Sequence, residues 1–214
     1  IGFFANVTHA PALVAQQLRL FETFLGKDGT KVEYVLFNAG PAAIEAMKGG
    51  AIDLSYIGPN PSVSGYTSTG GTLLRVVSGA TSGGAQLVVK PSINSVADLK
   101  GKKIASPQLG NTQDVALRYW LQEQGLSSTT EGGGDVSIKP QANAEDLADY
   151  SAGSIDGAWV PEPWVSEYVK AGAKVLVMPP SVGGEKEITD YIKLFDYDIQ
   201  LLVSAIKETG AAAR

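Results

Sequence analysis

The 214-residue chain contains no cysteine and a single histidine, His9. Thiolate metal sites, disulfides and a cysteine nucleophile are therefore excluded, and one histidine alone builds no familiar metal centre. Compartment stays open on this count, because oxidising and reducing spaces both tolerate cysteine-free chains. Positive charge is also scarce. Lys and Arg number 17 against 22 Asp and Glu, for a net charge of −5, and no basic stripe offers a nucleic acid its partner. No apolar run reaches the roughly 18 residues that span a bilayer. The G-x-S-x-G, P-loop and H-E-x-x-H patterns are missing, and Asp53, Asp114, Asp156 and Glu162 are scattered acids that their spacing does not pair. Hydrolase or transferase chemistry has no visible centre, and neither cofactor nor metal is expected.

What is present is a globular α/β composition. Hydrophobic residues make up 44% and charged residues 18% of the chain, enough apolar surface for a proper core and far from a disordered profile. The 25 glycines and 11 prolines imply many turns with short elements between them. The length suits one large domain or two lobes of about 100 residues each.

Period and punctuation give a βα series. Strands are predicted at Ile1 to Ala5, Val32 to Phe37, Asp53 to Ile57 and Leu73 to Ser78. A helix is expected over Pro11 to Leu25, and others start near Pro41 and Pro61. After the glycine-rich stretch 79–84, the likeliest crossing between lobes, a second series follows. Its strands are Gln86 to Val89, Lys103 to Ala105, Asp135 to Lys139, Ile155 to Trp159 and Lys174 to Val177. Between them lie helices at Ser95 to Leu99, Thr112 to Gln124, Ala144 to Tyr150 and Pro163 to Lys170. Glu187 to Glu208 reads as an amphipathic helix with apolar residues from Ile188 to Ile206 at spacings of three and four, expected to dock on the first lobe. The division is 1–82 plus 180–214 as lobe 1 and 83–179 as lobe 2.

Three strand-to-helix turns stand out: Asn38, Ala39 and Gly40; Gly58, Pro59 and Asn60; and Gly110, Asn111, Thr112 and Gln113. Each sets unpaired helix N–H groups at a sheet edge, a place for a small anion without any lysine. The plain alternative is a turn whose Asn and Thr satisfy only their own helix; three such turns in one chain favour the binding reading. Trp159 and Glu162 end a strand with an aromatic and a carboxylate, a pair suited to walling off a ligand and fixing its polar end. For Glu162 alone, the start of the following helix is the stronger reading. His9 stands just after the first strand, where a loop role is commoner than catalysis.

Seven segments together resemble one family: Asn6-Val-Thr-His-Ala-Pro11, Phe37-Asn-Ala-Gly-Pro-Ala-Ala43, Asp53 through Tyr56-Ile-Gly-Pro-Asn-Pro61, Ser78-Gly-Ala-Thr-Ser-Gly-Gly84, Ala97-Asp-Leu-Lys-Gly-Lys102, Pro107-Gln-Leu-Gly-Asn-Thr-Gln-Asp114 and Asp156-Gly-Ala-Trp-Val-Pro-Glu-Pro-Trp164. In order and spacing, over roughly residues 1 to 178, they resemble the substrate-binding proteins of ABC importers for aliphatic sulfonates, nitrate and taurine. The resemblance implies a two-lobed fold of the type II periplasmic-binding-protein kind, each lobe a mainly parallel sheet flanked by helices, closing over a sulfonate-like oxoanion for a membrane permease. It adds Asn6, Thr81, Ser82 and Gly83 to the turn residues above as ligand contacts, together with His9, Trp159 and Glu162. It also implies a monomeric, non-enzymatic protein, periplasmic or a cell-surface lipoprotein, with an export leader absent from this chain.

Two departures are visible. Family members continue well past this C-terminus, and Leu18-Arg19-Leu20 reads as continuous helix where relatives have a glycine-containing break. They point to a shortened, engineered or incomplete chain, so a scaffold without tight binding stands as the alternative. The thiamin pyrimidine synthases share the superfamily, but their cysteine-rich iron motif has no counterpart here.

Overall fold

The computed structural model describes residues 1–177. The helix expected over Glu187 to Glu208, and residues 180–214 of lobe 1, lie outside the described residues. The first half comprises β1 (Gly2–Phe4), a 3-10 turn (Val7–His9), α1 (Ala10–Gln17), α2 (Leu20–Leu25), β2 (Val35–Phe37), α3 (Gly40–Lys48) and α4 (Pro59–Ser68). β1 and β2 pair in parallel, Gly2 opposite Val35 and Phe4 opposite Phe37.

Three expectations fail in this half. The strand at Asp53 to Ile57 is reduced to one parallel bridge between Ser55 and Gly2, whose backbone exchanges bonds with Leu54 and Tyr56 at 2.7 and 2.9 Å. Leu73 to Ser78 forms no ladder with the described residues, and Val76 and Val77 are 77% and 81% exposed. β-branched content suits a residue to a strand, but only a partner edge makes one. The helix at Pro11 to Leu25 is two helices, because Arg19 takes a left-handed conformation (φ 53°, ψ 42°) between them. The break survives without a glycine, a conformation that costs an L-residue about 1 kcal/mol, and α2 buries none of its side chains.

The second half follows its sequence pattern within two residues throughout: β3 (Ala85–Val89), a 3-10 turn (Val96–Leu99), β4 (Lys103–Ser106), α5 (Thr112–Glu123), β5 (Ser137–Pro140), α6 (Asn143–Ser151), β6 (Gly157–Pro161), α7 (Trp164–Lys170) and β7 (Lys174–Val177). The strand order is β5-β4-β6-β3-β7. β4 runs parallel to β5 and β6, while β3 is antiparallel to β6 and β7. Four of the five strands thus run in one direction, in line with a mainly parallel sheet, and β3 alone is reversed, because the 79–84 segment feeds it in from the edge at which β4, β5 and β6 leave.

Both faces of this sheet are covered. Alternation along the strands sends Leu87, Val89, Ile104 and Ile138 to the α5 side with Leu117 and Leu121, and Val88, Ala105, Ala158 and Val160 to the side of Tyr150 and Tyr168. In α5, Leu117 and Leu121 stand one turn apart on the buried face, and the helix ends where Gly125 turns left-handed (φ 73°). The Leu126 N–H then returns to Leu121 O at 2.9 Å and brings Leu126 into the core.

Candidate functional site

The turns singled out in the sequence leave their strands at one side. β1 and β2 end at Phe4 and Phe37, ahead of the 6–9 and 38–40 turns; β4 and β6 end at Ser106 and Pro161, ahead of 110–113 and Glu162. β3 begins opposite Pro161, so 81–84 joins the same edge. Ligands of open α/β sheets bind outside such carboxyl ends.

Contacts tie these turns together across the two halves. The Val7 N–H donates to Glu162 O at 3.0 Å, and the Glu162 N–H to Gly84 O at 3.0 Å. The Thr81 hydroxyl donates to Thr8 O at 2.6 Å. Gly58, the residue before α4, lies directly against the Thr112 side chain at the start of α5, so closely that a Cβ at 58 would overlap Oγ1. Gly40 in turn packs on the Pro61 ring. The starts of α3, α4 and α5 thus meet in one place.

These helix starts are unequal as anion sites. Pro59 and Pro61 remove two of α4's first-turn donors, leaving Asn60, and Ser62 turns its N–H and its hydroxyl to Gly58 O. α5 is better equipped. Asn111 is its cap, accepting the Asp114 N–H on Oδ1 at 2.7 Å, which leaves the Thr112 and Gln113 amides of the first turn without an acceptor inside the helix. Beneath them Asp114, 1% exposed, accepts from the Ser106 hydroxyl at 2.9 Å and the Gly110 N–H at 3.0 Å. Arg118 grips the same carboxylate through Nε and Nη2, both at 3.1 Å. Sequence reasoning set Asp114 aside as a scattered acid and missed Arg118; the four-residue Asp-to-Arg spacing on a helix was the available signal.

Three expected contacts take other roles. Trp159 is 4% exposed and belongs to the core, its ring 5.9 Å from that of Trp120; strand alternation turns it under α5 instead of out of the edge. Glu162 spends its carboxylate on α7, accepting the Ser166 N–H and hydroxyl at 3.1 Å each, in line with the helix-start reading. His9 is buried against the Phe4 ring, and its Nδ1 accepts the Phe4 N–H at 3.2 Å, so the neutral ring carries its proton on Nε2. Burial lowers its pKa to about 4. It braces the 6–9 turn as a neutral group.

One buried acid was not anticipated. Among the described residues, Asp146, fully buried on α6, finds no hydrogen-bond partner for either oxygen, and neither does the nearby Tyr168 hydroxyl. Gln141, its closest candidate, gives its amide to Asp149 at 2.8 Å. Burial pushes the Asp146 pKa up to about 8 and raises that of Tyr168. Among the described residues no group of His, Cys, Asp and Glu is arranged to hold a metal, and no helix is long and apolar enough to cross a membrane. Open hollows of about 520 and 460 Å³ lie elsewhere, beside Arg118 and Tyr119 and beside Lys103 and Glu131.

The comparisons with known proteins agree with this architecture. A protein of Bacillus subtilis (strain 168) named for aliphatic sulfonate binding is 31% identical over 173 residues, covering 78% of this chain and 50% of its own length. The taurine-binding periplasmic protein of Escherichia coli (strain K12) is 29% identical over 176 residues, 81% of this chain and 51% of its own. The chain thus spans about half the length of the curated relatives it matches. Among solved structures, the periplasmic aliphatic sulphonate binding protein SsuA from Escherichia coli superposes with a TM-score of 0.63 at 26% identity, over 82% of this chain and 58% of that one. The fold is that of the periplasmic binding proteins. The family model described as NMT1-like matches residues 1–178, and the chain belongs to the NMT1-like family.

Proposed function

We propose that this chain captures a small oxoanion, an aliphatic sulfonate first of all, as the ligand-binding part of an ABC importer's solute-binding protein. The observation that carries the reading is the meeting of the α4 and α5 starts, Gly58 against Thr112, which brings the first turns that hold the Asn60, Thr112 and Gln113 amides to one seam between the halves. Hydrogen bonds to a charged partner contribute about 1.5–3 kcal/mol each, so three or four suffice for micromolar affinity. The relatives' names, which speak of sulfonate and taurine binding, support the same ligand class. Contacts are assigned to the turns at Asn6 to His9, Asn38 to Gly40, Gly58 to Asn60, Thr81 to Gly83 and Gly110 to Gln113, with Glu162 at their border.

In this reading the protein is a monomeric binder and not an enzyme, works outside the cytoplasm, periplasmic or lipid-anchored, and hands its ligand to a membrane permease; nucleic acid is no partner. Lobe 1 takes residues 1–82 with 180–214, and lobe 2 takes 83–179, a boundary supported by the change from the β1–β2 ladder to the five-stranded sheet at Ala85. Calorimetry against alkanesulfonates, taurine, nitrate and sulfate tests the proposal, with micromolar heat for at least one sulfonate expected. Silence across the panel, with no ligand-induced rise in melting temperature, overturns it in favour of a scaffold that no longer binds.

A further inference from the structure

Asp114 is an unwelcome neighbour for a bound anion. It places a buried negative charge within the first turn of the helix whose amides would receive the ligand, where it works against the partial positive charge of the helix start. Its position is nonetheless fixed with unusual thoroughness. One carboxylate holds the end of β4 through the Ser106 hydroxyl and the binding turn through the Gly110 N–H, while the residue's own N–H is taken by Asn111. Among the described residues the direct cationic contact comes from Arg118, one turn further along α5. Its guanidinium meets both carboxylate oxygens as a fork and uses its remaining arm on Thr129 O at 2.8 Å, which fixes the fork in place. Both residues lie further along α5 than Thr112, the side chain that meets Gly58 of the other half.

We propose that Arg118 is a positioning residue for the anion site: it locks Asp114, and through it the Ser106–Thr112 turn, and it cancels the Asp114 charge behind the bound oxoanion. The inference rests on the oxoanion reading of the crevice. It separates two roles that ordinarily come together, since the Asp114 hydrogen bonds shape the turn and the Arg118 charge keeps that turn receptive to an anion.

The test titrates the full chain with ethanesulfonate by calorimetry, alongside thermal melts, for the parent protein, Arg118→Gln, Arg118→Lys and the double variant Asp114→Asn/Arg118→Gln. Arg118→Gln is expected to weaken binding tenfold or more. Arg118→Lys, which keeps the charge without the fork, stays within about threefold of the parent, and the double variant binds more tightly than Arg118→Gln because both charges have gone. A purely structural brace gives the opposite order, with the double variant no better than the single one, and that result overturns the proposal, as does an Arg118→Gln protein within twofold of the parent. Should Arg118→Gln fail to fold, Arg118→Lys decides, a tenfold loss there sinking the charge-balancing role. A parent protein that takes up no sulfonate defeats the oxoanion reading itself, whereas a binding parent with indifferent variants defeats only the role of Arg118.

Discussion

Between β3 and β7 the chain buries eleven side chains in one apolar cluster and nine in another, on the two faces of a five-stranded sheet. Before residue 79, among the described residues, the corresponding cluster is Phe4, Ala43 and Ile52 beside a two-stranded ladder, and Leu18, Phe24, Leu36, Val76 and Val77 are exposed. The difference shows how the crevice is held. The second half presents its turns from a closed core, whereas the first half's turns are located partly by the second, through Val7 on Glu162, Thr8 on Thr81 and Gly58 on Thr112.

The sharpest way to break this comparison is to cut equal cavities in both halves. Leu117→Ala removes a fully buried side chain from the α5 face of the large core and should cost about 3 kcal/mol in denaturant unfolding. Ile52→Ala, in the small cluster, should cost roughly half as much, because a thinly covered core relaxes around the gap or admits water. Equal losses would mean that the first half is as tightly packed as the second.

Titration distinguishes the halves by sign. Asp146, in the second, has a pKa raised to about 8, so the unfolded chain gives up its proton first and stability drains away as pH rises from about 4 to 8, then levels off. Asp146→Asn should therefore be more stable than the parent at pH 8, by on the order of 2 kcal/mol, and nearly equal to it at pH 4. His9, in the first half, is lowered to about 4, so its contribution is complete above its unfolded value of 6.5 and is lost as pH falls from there to 4. Melting temperatures across pH 4 to 9 for the parent, Asp146→Asn and His9→Gln check both limbs. An unchanged alkaline limb in Asp146→Asn would show that this acid ionises in the folded protein as freely as outside it.

The second half was legible because its signals are local. Asn111 caps the helix it precedes, Gly125 ends it, and β-branched runs bounded by turns became strands with boundaries within two residues. The first half was less so, because Ile52 to Ile57 and Leu73 to Ser78 needed partner edges that no local pattern announces. Side-chain direction escaped for a different reason. Whether Trp159 faces a ligand or Trp120, and whether Asp146 faces water or Tyr168, depends on the phase with which strand and helix dock, and one residue of slip reverses a strand's answer. The convergence of the turns on one edge was legible, while the prolines that thin the α4 donors, plain in the sequence, went unweighed.

The smallest expected effect probes the seam itself. Gly58 has an ordinary extended backbone (φ −71°, ψ 161°), so alanine there brings no backbone strain, only a methyl group aimed at Thr112. Gly58→Ala should then cost about 1 kcal/mol in stability, the low end for an added methyl, since the halves can part slightly to admit it. That parting moves the Asn60 amide away from those of Thr112 and Gln113, and sulfonate affinity should fall about tenfold, a free-energy change of about 1.4 kcal/mol. Adding Thr112→Ala removes the hydroxyl and methyl in the way, and should restore affinity in Gly58→Ala even though Thr112→Ala alone, by deleting a hydroxyl beside the site, weakens binding. Such a reversal of sign requires the two positions to be in contact when the ligand is bound. If the two losses simply add, the crevice closes on its ligand without Gly58 touching Thr112, and the first half reaches the anion by some other part of its surface.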